Sequence, residues 1–174
     1  MNSATQLTLS PQAQSDVQAA HALYIRAFDW LAAKGVRQWL LRLDVAAFGK
    51  RQAAGEAFAI HAESTLVGCV FVPFETIDYY GDEIKTMPRW WMHTLVIDRA
   101  FSGRRWGEAA VALVADFVRS RGGDCVWLHC VNDANFAETI PGYYARLGFK
   151  EMLRTSVTYA AGNAFPMVLM RKAI

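Results

Sequence analysis

Cysteine is scarce. Cys69, Cys125 and Cys130 are the three in 174 residues. An odd number cannot pair evenly, and no C-x-x-C spacing occurs, so neither a disulfide framework nor a zinc site is expected. Long apolar runs are also missing. The longest, Leu66 to Phe74, is too short to cross a bilayer, and no basic-then-apolar leader opens the chain. The expected setting is reducing and cytoplasmic, with no membrane contact. Charge of one sign is not in excess: the net charge is +2, with no basic stripe, which gives no bulk electrostatic case for nucleic acid. Repeats, linkers and low-complexity tracts are absent. What remains is 53% hydrophobic and 20% charged, a balance that suits one globular domain over residues 1–174.

Patterning then assigns elements. Residues 6–10 alternate as a first strand that Pro11 should break. A helix runs from Asp16, with Val17, Ala20, Tyr24, Ala27, Phe28 and Leu31 on one face, to a stop at Gly35. A second helix is expected over Asp44 to Ala54. Residues 57–62 and 65–72 read as strands joined by Glu63-Ser64, a hairpin. Residues 77–88 have no clear period and read as a long loop, of the length that often carries function. Residues 91–97 form an apolar strand, residues 106–121 a helix that Gly122-Gly123 ends, and residues 125–131 a further strand. Strand–helix–strand order implies a right-handed parallel crossover. A helix follows to Leu147, interrupted or restarted at Pro141-Gly142. Residues 149–153 and 166–170 close the chain as a strand pair.

The stretch from Trp90 to Gly122 carries the chemistry. A strand ends at Asp98, a loop with Arg99, Gly103, Arg104 and Arg105 follows, and a helix begins. A helix's first turn leaves backbone N–H groups unpaired and adds partial positive charge, so a phosphate fits there. Gly103 and Gly107 lack the Cβ that would keep a diphosphate off the backbone. An ordinary turn with solvated arginines has the same residues. Arg104-Arg105-Trp106-Gly107-Glu108-Ala109, however, resembles the Arg/Gln-x-x-Gly-x-Gly/Ala signature of the GNAT superfamily of N-acetyltransferases. Tyr143-Tyr144-Ala145-Arg146-Leu147-Gly148-Phe149 resembles the family's Tyr-x-x-x-Gly-Phe block. The resemblance spans roughly residues 5–173 and is strongest over 90–151.

The resemblance implies an α/β (α+β) three-layer fold, with a mixed, mostly antiparallel sheet of six to seven strands and about four helices. It implies acetyl transfer from acetyl-CoA to an amine. The diphosphate would rest on the backbone of Arg104, Arg105, Trp106, Gly107, Glu108 and Ala109, aided by Arg99. The pantetheine arm would run along Leu95, Val96 and Ile97. Tyr144 would protonate the departing thiolate. The family's cofactor-contacting asparagine usually lies seven residues before this tyrosine. Here Ala137 holds that position, and Asn135, nine before, is the candidate contact; two extra residues near 139–142 would explain the shift. His93, with an ordinary pKa near 6.5, suits removal of the amine's proton; Glu75, Asp78 and Glu83 are the alternatives. His129 beside Cys130 offers a nucleophilic reading, whereas His21 and His61 read as structural. Tyr79, Tyr80 and Trp90 are candidates for an acceptor pocket, favouring an apolar or heteroaromatic small amine. No metal is expected, and the resemblance allows a homodimer. Two other readings stay open: an acyl-CoA-binding sensor without turnover, and an enzyme acting on a protein amine.

Overall fold

The computed structural model describes residues 6–38, 42–77, 87–132, 140–158 and 164–174. Their order is β1 (Leu7–Pro11), α1 (Val17–Ala33), α2 (Val45–Ala53), β2 (Ala57–Ala62), β3 (Thr65–Phe71), β4 (Phe74–Glu75), β5 (Arg89–Trp90), β6 (His93–Ile97), α3 (Trp106–Ser120), β7 (Cys125–Val131), α4 (Ile140–Arg146), β8 (Lys150–Thr158) and β9 (Ala164–Ala173). This is the expected mixed α/β fold. Among the described residues, four helices accompany an antiparallel ladder in the order β1-β2-β3-β6 and another in the order β7-β9-β8; β4 and β5 form a small ribbon. Among the described helices, none is long and apolar enough to cross a membrane.

Local chemistry explains where the helices stop. In α1, α3 and α4 a glycine follows the C-cap at positive φ: Gly35 at 75°, Gly122 at 78° and Gly148 at 89°. In each, the glycine N–H and the next N–H reach back to consecutive carbonyls of the last turn, as Gly122 does to Arg119 and Gly123 to Val118. This double bond closes a helix and requires a left-handed residue. Asp44 starts α2, its Oδ1 accepting from the Ala47 N–H at 2.8 Å. Pro141 occupies the first turn of α4, where a proline's missing N–H costs no helix bond. Pro11 does not break the first strand. It is the last residue of β1, opposite Phe58, on an edge strand where a missing N–H costs no ladder bond.

Packing makes three layers. On one face of the first ladder, Ala110, Val111, Val114 and Val118 of α3 pack against Phe58, Ile60, Val67 and Val70. On the other, Val17, Ala20, Leu23 and Tyr24 of α1 pack against Phe48, Cys69, Phe71 and Val96. A buried valine or leucine side chain contributes roughly 1.5–3 kcal/mol, so the two faces clamp β6 from both sides. His21 bonds the Leu43 carbonyl at 3.0 Å, a structural role.

The expected strand over residues 91–97 is divided. Arg89–Trp90 pairs with Phe74–Glu75, and His93–Ile97 pairs with β3. Trp91, between them, makes an isolated parallel bridge to Trp127. That bridge is the one ladder contact between the two main sheets among the described residues.

Candidate active site

The site begins with a defect in β6. Thr94 has a φ of 52°, a left-handed conformation that a β-branched side chain adopts only under constraint. Against β3, Cys69 faces Val96 and Phe71 faces His93. Two β6 residues, Thr94 and Leu95, therefore lie opposite one on β3, Val70, the definition of a bulge, which bends the strand. β6 is held to β7 where the Met92 N–H donates to the Trp127 carbonyl at 2.8 Å, and the ladder stops there. Beyond it the strands separate. The gap is a cavity of about 470 Å³, walled by Thr94 and Leu95 on one side and by Leu128 and His129 on the other.

Three elements close that cavity. From α1 comes Trp30, with the Arg99 guanidinium stacked 3.9 Å from its ring centroid. From α4 come Tyr143, Tyr144 and Arg146. From the segment after α1 comes Gln38, whose Oε1 accepts from the Val131 N–H at 3.1 Å. Asp98 anchors the loop after β6, accepting from the Ala100 N–H at 3.0 Å and from Arg26 of α1 at 2.7 Å.

The turn into α3 has the geometry of an anion site. Gly103 has a φ of 81° and open space around it. Arg105, the N-cap residue, is also left-handed at 57°. The amides of Glu108 and Ala109 bond the Arg105 carbonyl at 3.1 and 3.3 Å. The amides of Trp106 and Gly107 meet no backbone acceptor among the described residues. Trp106 itself is buried beneath the loop and holds Arg104, whose guanidinium lies 5.1 Å from its ring centroid. Arg105 folds onto Glu108 at 2.6 Å. Gly107 serves a purpose its position in the motif did not suggest: a Cβ there would collide with the Tyr143 hydroxyl. Its small size seats α4 on α3. Of the strand residues expected along the pantetheine arm, Leu95 lines the cavity, whereas Val96 is buried toward α1.

Tyr144 lines the same cavity, its ring against Phe149 at 5.5 Å and Tyr143 at 5.3 Å. Burial, with the Cys130 thiol nearby, holds its phenol above the ordinary tyrosine range. It is therefore a protonated donor at neutral pH. Burial likewise pushes the Cys130 thiol up to about 12, which removes it as a nucleophile there.

A second cavity, about 830 Å³, opens on the other side of His93 and shares His93, Thr94 and His129 with the first. Its walls include Lys50 and Arg51 from α2, Glu56 and Glu75. Arg51 bridges both acids, reaching Glu56 at 2.6 Å and Glu75 at 3.0 Å. Glu75 in turn lies 3.4 Å from His93 Nε2. The His93 contact, joined by Arg51, overcomes desolvation and pulls the Glu75 carboxyl down to about 2. His93 stacks on Trp91, rings 5.7 Å apart and 6° from parallel, and touches His129 at 5.1 Å. Burial, then the neighbouring His93, drives His129 down to about 3, so His129 is neutral.

The other expected residues separate. Trp90 lines a third cavity that shares no residue with the two meeting at His93. Tyr79, Tyr80, Asp78, Glu83 and Asn135 lie outside the described residues. Arg51, Gln38 and Tyr143 escaped the sequence reading. Arg51 and Gln38 act on partners 24 and 93 residues away; for Tyr143, the glycine of the upstream motif was the available signal.

Comparison with known proteins agrees with this geometry. A family model described as "Acetyltransferase (GNAT) family" matches residues 17–149. No curated protein sequence matches. Among solved structures, a GNAT-family acetyltransferase from Listeria monocytogenes superposes with a TM-score of 0.77 at 20% identity, covering 97% of this chain and 95% of that one. The ribosomal-protein-S18-alanine N-acetyltransferase from Escherichia coli has a TM-score of 0.66 at 16% identity, covering 97% and 94%. A putative acetyltransferase from Salmonella typhimurium, solved with its cofactor acetyl-CoA, has a TM-score of 0.66 at 14% identity, covering 97% and 94%. At these identities the likeness is one of fold; together with the family match over most of the chain, it means that this protein belongs to the acetyltransferase (GNAT) family.

Proposed function

We propose that this protein transfers an acetyl group from acetyl-CoA to the primary amine of a small molecule, by direct attack within a ternary complex. The observation that carries this reading is the meeting of two cavities at His93. One holds Arg99, Arg146 and a protonated tyrosine, with no acid among the described residues of its wall; the other holds Glu75 against His93. Two substrates entering from opposite sides would touch there. Coenzyme A suits the first cavity: the unpaired amides of Trp106 and Gly107 and the nearby Arg104 are donors for a diphosphate. Acetyl-CoA supplies the acyl thioester.

The chain's residues then have separate tasks. Glu75, anionic at every working pH, attracts the ammonium and orients His93. His93 donates its Nε2–H to Glu75, so the other ring nitrogen, Nδ1, takes one proton from the ammonium, because only the free amine has a lone pair to attack. Nitrogen forms its bond to the carbonyl carbon, the carbon–sulfur bond breaks, and the Tyr144 hydroxyl gives its proton to the leaving sulfur. The new amide nitrogen sheds its extra proton; reprotonating Tyr144 leaves one proton released to solvent overall. The hydrophobic walls Leu95, Met92 and Leu128 limit water at the thioester.

Thiol release from acetyl-CoA, screened over small amines and short peptides, tests this reading. Release with small amines supports it, and Tyr144→Phe should slow turnover by about 10²-fold or more. Release with peptides alone would move the acceptor to proteins. No release with any amine, beside measurable acetyl-CoA binding, would leave a sensor.

A further inference from the structure

The third cavity takes no part in that reaction. It encloses about 420 Å³ between the Gly122-Gly123 turn, β5 and the ends of β7 and β9. Its wall holds the aromatic residues Trp90, Trp127 and Phe74 and the basic residues Arg89, Arg121 and Arg171; among the described residues Asp124 is the one acid. Arg89 and Arg171 both lie over the Trp127 ring, 4.9 and 5.8 Å from its centroid. A guanidinium stacked by its face keeps its in-plane N–H edge for an acceptor, and that edge matches a carboxylate.

Arg171 is the informative member. Its Nε is buried and meets no hydrogen-bond partner among the described residues. No carboxylate among those residues pairs with Arg171 or Arg121. A buried charged donor without an acceptor is costly, and a bound anion removes that cost. Phe74 and Met87, exposed to 54% and 63%, stand on the same wall, ready to cover an apolar body.

We propose that this cavity is a second ligand site, which takes a small aromatic carboxylate: the acid on the edges of Arg171 and Arg121, the ring against Trp90 and the exposed Phe74. The site shares no wall with the two cavities at His93, so it fills independently of acetyl-CoA. Calorimetric titration of the full chain with benzoate, with inorganic phosphate alongside, and with and without coenzyme A, tests it. Benzoate should bind saturably, more tightly than phosphate and equally with coenzyme A present. Arg171→Gln should weaken it about tenfold, the loss of one charge-assisted bond. Arg121→Gln, at an exposed position that tolerates change, should weaken it a few-fold. No saturable heat up to about 10 mM benzoate, unchanged affinity in both variants, competition by coenzyme A, or phosphate binding as tightly as benzoate would each overturn the proposal. None of these results bears on acetyl transfer.

Discussion

Gly107→Ala should change sign with its neighbour. In the native chain, a Cβ at residue 107 runs into the Tyr143 hydroxyl, while the next nearest atom, the ring carbon bearing it, is 3.6 Å away. Overpacking of this kind costs about 1–3 kcal/mol. Alanine also gains up to about 1 kcal/mol over glycine in a helix, so the substitution should be neutral to destabilising by about 2 kcal/mol. Tyr143→Phe removes the obstructing oxygen and leaves the ring carbon at ordinary contact distance. In that background the steric cost vanishes, and Gly107→Ala should stabilise by up to about 1 kcal/mol. Urea unfolding of the four proteins gives the coupling energy directly, expected at about 1–3 kcal/mol. If Gly107→Ala shifts stability equally in both backgrounds, the contact that seats α4 on the start of α3 does not exist, and the placement of Tyr144 beside the turn goes with it.

Glu75→Gln keeps a hydrogen-bonding group beside His93 and removes the charge; kcat/KM for the amine should fall about tenfold or more, a share of the 10²–10⁴ that a general base supplies, while acetyl-CoA binding by calorimetry stays unchanged. His129 sets a pH dependence of stability. Its folded value of about 3 lies below the ordinary 6.5, so the unfolded chain binds the proton first. Stability complete above about pH 6.5 should drain away as pH falls toward 3, at a slope on the order of 1 kcal/mol per unit. A urea midpoint that is flat from pH 7 to about pH 4 would contradict a neutral, buried His129.

What could be read from the sequence was what local chemistry determines. Tyr-x-x-x-Gly-Phe proves to be a helix terminus: Gly148 takes the left-handed position, the Phe149 N–H bonds the Tyr144 carbonyl, and the two rings pack at 5.5 Å. The hairpin at Glu63-Ser64 and the α3 stop at Gly122-Gly123 were legible for the same reason. The bulge was not. Threonine is a poor residue for positive φ, and nothing near Thr94 in the chain advertises that it adopts one; the constraint comes from β3 on one side and the Trp91–Trp127 bridge on the other. Nor did the apolar run at 91–97 show that it would serve two sheets. Trp90 read as an acceptor-pocket residue because it is aromatic, but the chain passes from one sheet to the other at Trp91, and Trp90 lines the third cavity. The pairing of Glu75 with Arg51 depends on the return of the chain over 24 residues, a distance at which charge pattern carries no register.

Initial rates of thiol release, measured while acetyl-CoA and an accepted amine are both varied, test the meeting of two cavities at His93 most directly. Double-reciprocal lines that intersect are predicted, because both substrates must be bound before nitrogen reaches the carbonyl. Parallel lines, the mark of an acetylated enzyme formed before the amine arrives, would contradict the account.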